Sequence, residues 1–276
     1  MFISPRELYK SADSKKVAIG AFNTNNLEVT QAIVAGAEAV RLPIIIQTTP
    51  KAIDYAGLNE LFAVIKAAID DTKIPVTVHL DHCTEIDLVK ICLEKGYRSV
   101  MFDGSSLPFE ENVAATKKVV DLAHQFDAFV EGEIGRISKS EEGVSNGKPA
   151  YTDPDEAKNF ARLTGVNSLA ISIGNIHGAP QGEKLNIDLL KLINQKVDIP
   201  LVLHGASGLS RIDLKQAIDN GIRKINIDTQ IKKAFKKSLQ EDVDDPNKDI
   251  RDCLTNAKED VELVVIKYLK IFNGID

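Results

Sequence analysis

The chain has 276 residues and a formal net charge of −6, with 43% hydrophobic and 27% charged side chains. Its many Ile, Leu and Val residues exclude a disordered chain. Its longest apolar runs, such as Ile44–Ile46 and Leu201–Leu203, are strand-sized, far below the roughly 18 residues of a membrane span. With 34 basic against 40 acidic residues there is no global positive field, so neither nucleic acid nor membrane is expected as a partner.

The N-terminal stretch MFISPRELYKSADSKK has no continuous apolar region of the secretory type. Cys83, Cys92 and Cys253 are too scattered for a disulfide framework and fit a reducing, cytoplasmic setting. The basic run Lys232, Lys233, Lys236 and Lys237 reads first as a solvated helix face.

In chain order, short β-branched runs alternate with helical apolar spacing. The runs are Val17–Phe22, Pro43–Thr48, Pro75–Leu80, Ser99–Asp103, Ala128–Glu133, Asn167–Ile173, Pro200–His204 and Arg223–Ile227. Glu28–Val40, Glu85–Leu93, Asn112–Phe126 and Arg211–Asn220 are among the helical segments that follow them. Near-continuous apolar strands between amphipathic helices predict a parallel sheet covered on both faces. Eight such units in this length predict a single-domain α/β fold over 1–276, a closed (βα)8 TIM barrel, with a doubly wound open sheet as its rival.

Helix punctuation agrees. Thr84 with Asp87 three positions on resembles a capping box, and Thr152-Asp153-Pro154 offers a cap followed by a first-turn proline. Gly96, Gly165 and Gly221 stand where helix C-caps precede strands. An acidic stretch, Gln240–Asp249, leads to a last helix over Ile250–Phe272, within a helical segment spanning 248–276. The connection 134–152 has no sustained apolar period and carries Gly135, Gly143 and Gly147. A loop of that length after the fifth strand is expected at the active-site face.

Barrel enzymes build their sites at the C-terminal ends of the strands. Those ends carry Asn23, Thr48-Thr49, Asp81-His82, Asp103, Glu131 and Glu133, His177, His204, and then Asn226, Asp228 and Thr229. Three of the five histidines fall there, and three imidazoles with an open position form a catalytic metal arrangement, typically zinc. His79 lies inside a strand and suits a supporting role, His124 a helix surface, and Cys83 a packing position. Two glycine turns, Gly174–Gly178 and His204–Gly208, allow close backbone approach to a phosphate; Ser207, Asn226 and Thr229 lie at the barrel's usual phosphate site.

In this order and spacing, AFNTNN at Ala21–Asn26, HLDH at His79–His82, SVMFDGS at Ser99–Ser105, EGEIG at Glu131–Gly135, GNIHG at Gly174–Gly178, LVLHGASGL at Leu201–Leu209 and KINIDT at Lys224–Thr229 resemble the class II, metal-dependent fructose- and tagatose-bisphosphate aldolases. The resemblance implies a barrel with catalytic zinc on His82, His177 and His204. It implies Asp81 as acid/base at the C4 hydroxyl, Glu142 as the loop carboxylate that moves the C3 proton, and Asp103 and Glu133 as alternative metal positions. Gly178, Gly205, Ser207, Asn226 and Thr229 match binders of the dihydroxyacetone-phosphate end, and Asn23, Thr48, Asp228 and Lys232 complete the expected substrate contacts, with Lys232 at the second phosphate. A monovalent cation, Na+ or K+, near the glycine turns is also implied, as is a homodimer or homotetramer.

After Gly178 the chain reads Ala179-Pro180-Gln181-Gly182-Glu183-Lys184, where family members often carry an aromatic and then a lysine; Lys184 is the candidate substitute. The expected reaction is reversible cleavage of a phosphorylated ketose through a zinc-stabilised enediolate. Asp at 228 favours fructose 1,6-bisphosphate over the tagatose alternative, some members of which rely on a helper subunit. A Schiff-base aldolase needs a lysine at a strand end, and Lys224 lies within the eighth strand while Lys232 lies a helical turn beyond it. A zinc hydrolase and a non-catalytic metabolite-binding barrel are the remaining rivals. No G-x-G-x-x-G follows the first strand, and no nicotinamide or flavin is expected.

Overall fold

A computed structural model describes residues 2–141, 144–145, 150–178 and 184–276, with the backbone alone at 138–141 and 144–145. In chain order its strands are β1 (Ile19–Asn23), β2 (Ile44–Thr48), β3 (Val76–Cys83), β4 (Ser99–Phe102), β5 (Phe129–Ile134), β6 (Ser138–Glu141), β7 (Val144–Ser145), β8 (Ser168–Ile171), β9 (Ile176–His177), β10 (Leu201–Leu203) and β11 (Ile222–Ile227). Its helices are α1 (Pro5–Lys15), α2 (Leu27–Val40), α3 (Pro50–Ala56), α4 (Leu58–Asp70), α5 (Ile86–Lys95), α6 (Phe109–His124), α7 (Pro154–Thr164), α8 (Ile187–Lys196), α9 (Arg211–Asp219), α10 (Thr229–Asp242) and α11 (Ile250–Phe272).

The eight expected runs are the eight strands of a closed parallel barrel, ordered β1-β11-β10-β8-β5-β4-β3-β2. Alternation along each strand divides the two faces. Phe22, Ile46, Val78, Leu80, Val100, Leu169, Leu203 and Ile225 pack beneath the helices in the main core. Ile19, Ala21, Ile45 and Phe129 fill the N-terminal end of the lumen, where α1 lays Leu8, Tyr9 and Ala12 over them. Tyr9 stacks on Phe129 with ring centroids 4.9 Å apart. Above a thin apolar layer of Met101, Ala170 and Val202, the lumen becomes polar toward the strand ends.

Several local features differ from the sequence reading. The N-terminal stretch forms α1, whose first turn holds Pro5 and whose buried face is Leu8, Tyr9 and Ala12. Thr84 does not cap α5: the N-cap is Glu85, without a side-chain bond, and the Thr84 hydroxyl turns to the Glu85 carboxylate. Asp153 caps α7 as expected, while Thr152 donates its hydroxyl to the Ile134 carbonyl and accepts from the Ser172 N–H. The last helix has the expected bounds and runs against α2, where a Cβ on Gly36 would lie 2.9 Å from Val265.

The connection after β5 is not structureless. Arg136 bridges Ala150, β6 pairs antiparallel with β7 through Ser140 with Ser145 and Glu141 with Val144, and β6 also pairs in parallel with β9 through Lys139 and His177. β6 reads Ser-Lys-Ser-Glu, with no apolar residue, so hydrophobic periodicity could not announce the pairing.

Candidate metal centre and active site

β3 delivers two adjacent side chains to the site, which a regular strand cannot do because neighbours point to opposite faces. Its register with β4 shifts between Leu80 and Cys83, and His82 adopts a left-handed backbone with φ 52°. That conformation is uncommon outside glycine and costs backbone energy that the surrounding fold must sustain. The result is Asp81 buried in the lumen and His82 half-buried beside it.

Around this bulge, His82, His177 and His204 bring ligand-capable nitrogens within 4.8 Å of one another. The His82 ring lies 4.6 Å from that of His204 and 5.0 Å from that of His177, near-perpendicular to each. His82, Asp103 and Glu133 form a second group of the same tightness. The His82 Nδ1 lies 3.0 Å from Asp103 Oδ2, so its Nε2 faces inward, 2.9 Å from His204 Nδ1. Asp103 also accepts from the Ser105 N–H and hydroxyl.

Electrostatics fit a cation. Burial alone would lower the pKa of His82, but Asp81, Asp103 and Glu133 outweigh it and raise it to about 9. Burial, with His82 and Lys224 nearby, holds His204 far below its ordinary value, so it is neutral. His82 Nε2 and His204 Nδ1 thus share one hydrogen bond, and a metal bound at these nitrogens would take its place. Glu133 is raised to about 8 by burial and by Asp103, and its Oε2 has no hydrogen-bond partner within normal distance among the described residues, an acceptor suited to a cation. Three imidazoles and flanking carboxylates, converging with orphaned acceptors, fit a zinc ion.

Asp81 is held by amides. Asn23 Nδ2 donates to its Oδ2 at 2.9 Å, Gln47 Nε2 to the same oxygen at 3.1 Å, and Asn226 Nδ2 to Oδ1 at 3.1 Å. Burial would raise its pKa, yet His82, His204, Lys224 and the Asn23 amide lower it below the usual value, so the carboxylate is ionised. A cavity of about 270 Å3 opens over it, lined by Asn23, Thr49, Asp81, His82, His177, Gly178, Gly205, Ser207, Asn226, Asp228 and Thr229. A larger cleft of about 550 Å3 lies at the opposite, N-terminal mouth against Tyr9 and Phe129 and holds none of this chemistry.

The expected site residues sort as follows. Asn23, Gly178, Gly205, Ser207, Asn226, Asp228 and Thr229 line the cavity with Asp81, His82 and His177. His204 lies beneath it, fully buried. Gly205, at φ 66°, is required by close approach: a Cβ there would stand 2.6 Å from the Ile176 carbonyl oxygen, on the strand that carries His177. Thr48 is a correction. It points outward and shares a hydrogen bond of 2.9 Å with the Tyr97 hydroxyl, and its neighbour Thr49 lines the cavity instead. Lys232 is exposed and paired with Asp228 Oδ2 at 2.6 Å; burial raises Asp228, whose other oxygen is buried without a partner among the described residues. Lys184 is exposed. Glu142 lies outside the described residues; its flanks Glu141 and Val144 pair with each other.

Sequence reasoning passed over Gln47 and gave Glu131 and Lys224 no role. Lys224 points into the lumen, fully buried, with its Nζ 2.8 Å from Glu131 Oε2. The signal was available in the two-residue period. Lys224 stands two before Asn226, Glu131 two before Glu133, and His79 two before Asp81.

A parallel barrel whose strand ends gather imidazoles, carboxylates and glycine turns around one cavity belongs to the class of (βα)8 enzymes with a candidate metal centre. The family model for class II fructose-bisphosphate aldolase matches residues 3–276, and the chain belongs to that family. Among solved structures it is similar to the YdjI aldolase from Escherichia coli K12, at 31% identity and TM-score 0.87, covering 99% of this chain and 97% of that one. It is similar also to a Coccidioides immitis protein provisionally named a fructose-1,6-biphosphate aldolase, at 29% identity and TM-score 0.90, over 98% of this chain and 96% of that one. A fructose-bisphosphate aldolase from Campylobacter jejuni shares the fold, at 24% identity and TM-score 0.78, over 99% and 96% of the two chains. No helix among the described residues is long and apolar enough to cross a membrane.

Proposed function

We propose that this protein is a zinc-dependent ketose 1,6-bisphosphate aldolase that reversibly cleaves fructose 1,6-bisphosphate to dihydroxyacetone phosphate and glyceraldehyde 3-phosphate in the cytoplasm. The observation that carries the reading is the convergence of His82, His177 and His204 on the cavity that also holds Asp81. Zinc held by these imidazoles would supply a Lewis acid for the ketose carbonyl and for the negative charge that develops on cleavage. Asp81 takes the C4 hydroxyl proton as the C3–C4 bond opens and the C4 carbonyl forms. Glu142 returns a proton to C3 of the dihydroxyacetone-phosphate half. Gly178, Gly205, Ser207, Asn226 and Thr229 hold that half, with a monovalent cation beside the glycine turns. Asn23 orients Asp81, Asp228 meets a sugar hydroxyl, and Asp103 and Glu133 offer alternative metal positions.

The test is a coupled assay with purified fructose and tagatose bisphosphates, run before chelation, after it and after zinc is restored. Fructose bisphosphate turnover that stops with chelator and returns with zinc is expected. Metal-independent turnover, or none with either sugar, overturns the reading. A preference for tagatose bisphosphate moves it to the alternative sugar, and a helper subunit is then to be sought. The assembly is proposed to be a homodimer or homotetramer.

Lys232 is assigned to the second phosphate, for which its ammonium exchanges Asp228 for the phosphate oxygens. Lys232→Met is expected to raise KM for bisphosphates far more than for monophosphate sugars. Equal effects on both, measured by steady-state kinetics, return Lys232 to a surface ion pair.

Glu142→Ala is expected to leave zinc content unchanged. It should slow solvent exchange of the C3 proton of dihydroxyacetone phosphate by at least about two orders of magnitude, the scale of a lost general base. Glu141→Ala should do much less. Deuterium exchange followed by NMR decides between them, and a larger loss in the Glu141 variant overturns the assignment.

A further inference from the structure

We infer that the buried pair Lys224–Glu131 is a positioning device. It fixes which nitrogen of His204 carries the proton, and so selects Nδ1 as the atom presented to the metal; this rests on the proposed metal centre. The lumen below the cavity contains an unbroken polar line. Lys224 Nζ donates to Glu131 Oε2 at 2.8 Å, and Glu131 Oε1 lies 2.8 Å from His204 Nε2. Lys224 Nζ also reaches His79 Nε2 at 3.5 Å, and His79 Nδ1 lies 2.7 Å from the Ser99 hydroxyl. Lys224, Glu131 and His204 are all essentially inaccessible to solvent.

The direction of each bond follows from chemistry. An ammonium only donates, and a carboxylate beside it only accepts. Glu131 therefore requires a proton on His204 Nε2, which leaves the lone pair of a neutral ring on Nδ1. That nitrogen faces His82 Nε2 at 2.9 Å, with the Asn226 amide nitrogen at 3.3 Å, inside the candidate metal group. His82 is set by the same logic, since Asp103 takes its Nδ1 proton and turns Nε2 inward. Lys224, a donor only, occupies Glu131 Oε2 and leaves Oε1 to accept from His204.

A glutamine at 131 makes the device testable. It has one oxygen and one amino group in place of two oxygens. Lys224 claims the oxygen, so the amino group faces His204 and donates to Nε2. The ring proton must then move to Nδ1, which blocks the ligating position. Removing the lysine as well frees the amide to turn over and accept from His204 again.

The experiment uses full-length protein labelled with 15N-histidine, read by NMR for tautomer in the metal-free state and by chelator competition for zinc affinity. Glu131→Gln is expected to convert His204 from the Nε2–H to the Nδ1–H form and to weaken zinc by about 10–100-fold, the usual cost of losing a ligand's hydrogen-bond partner. Glu131→Gln with Lys224→Met should restore the Nε2–H form and most of the affinity. Glu131→Leu with Lys224→Met, equally uncharged but without an acceptor, should restore neither. If Glu131→Gln leaves a lone buried ammonium and does not fold, the two double variants decide by themselves. The same tautomer and the same zinc affinity across the variants that fold would overturn the inference. Absence of zinc binding in the wild type would instead overturn the proposed function, while the tautomer series would still report on the pair.

Discussion

Alanine at His82, His177 or His204 is expected to remove the metal and aldol cleavage together. Each ring contributes one nitrogen to a group no wider than 4.8 Å, and a three-histidine centre loses a third of its protein ligands with any one of them. The three variants should nevertheless differ in stability. His204 is wholly buried and is the hydrogen-bond partner of Glu131, so His204→Ala also strands a buried carboxylate oxygen, at a cost of about 1–3 kcal/mol. His177 is half-exposed, so truncating its ring removes less buried surface than His204→Ala does. Metal analysis, turnover and thermal denaturation on all three variants check both parts. Full metal occupancy in all of them would refute the assignment.

Asp81→Asn is expected to keep the metal and lose cleavage by about 10²–10⁴-fold, because an amide cannot take the C4 hydroxyl proton. The structure adds a second consequence. Three amides, from Asn23, Gln47 and Asn226, all donate to this carboxylate. An asparagine offers a single accepting oxygen and turns its amino group against a donor, so a loss of about 1–3 kcal/mol in stability should accompany the kinetic defect. Single-turnover kinetics beside a denaturation curve separates the two effects. A variant within about threefold of wild-type turnover contradicts the role, since removing a general base costs far more.

The barrel was legible because strands buried on both faces leave near-continuous apolar runs, and eight of them favour closure over an open sheet; all eight appear where the runs predict them. The lumen was less legible. Its inward positions mix Ile45, Met101 and Val202 with Gln47, Glu131 and Lys224, so no hydrophobic contrast marks the inner face. Thr48 was misread because a strand end was taken as one place, whereas the pleat turns Thr48 toward Tyr97 and leaves Thr49 at the cavity. His82 lies at the cavity for a reason the sequence does not contain. Only the bulge and the left-handed backbone let it share a face with Asp81. The pairing of β6 with β9 was invisible because β6 has no apolar residue and β9 is two residues long.

That pairing joins two segments that lead to residues of the proposed site. β6 opens the segment that goes on to Glu142, and its ladder partner β9 ends in His177. A displacement of β6 is thereby passed to the backbone that carries His177. Loading the three-histidine centre should make the hairpin's backbone amides slower to exchange with solvent, and truncating the hairpin should make that centre leak.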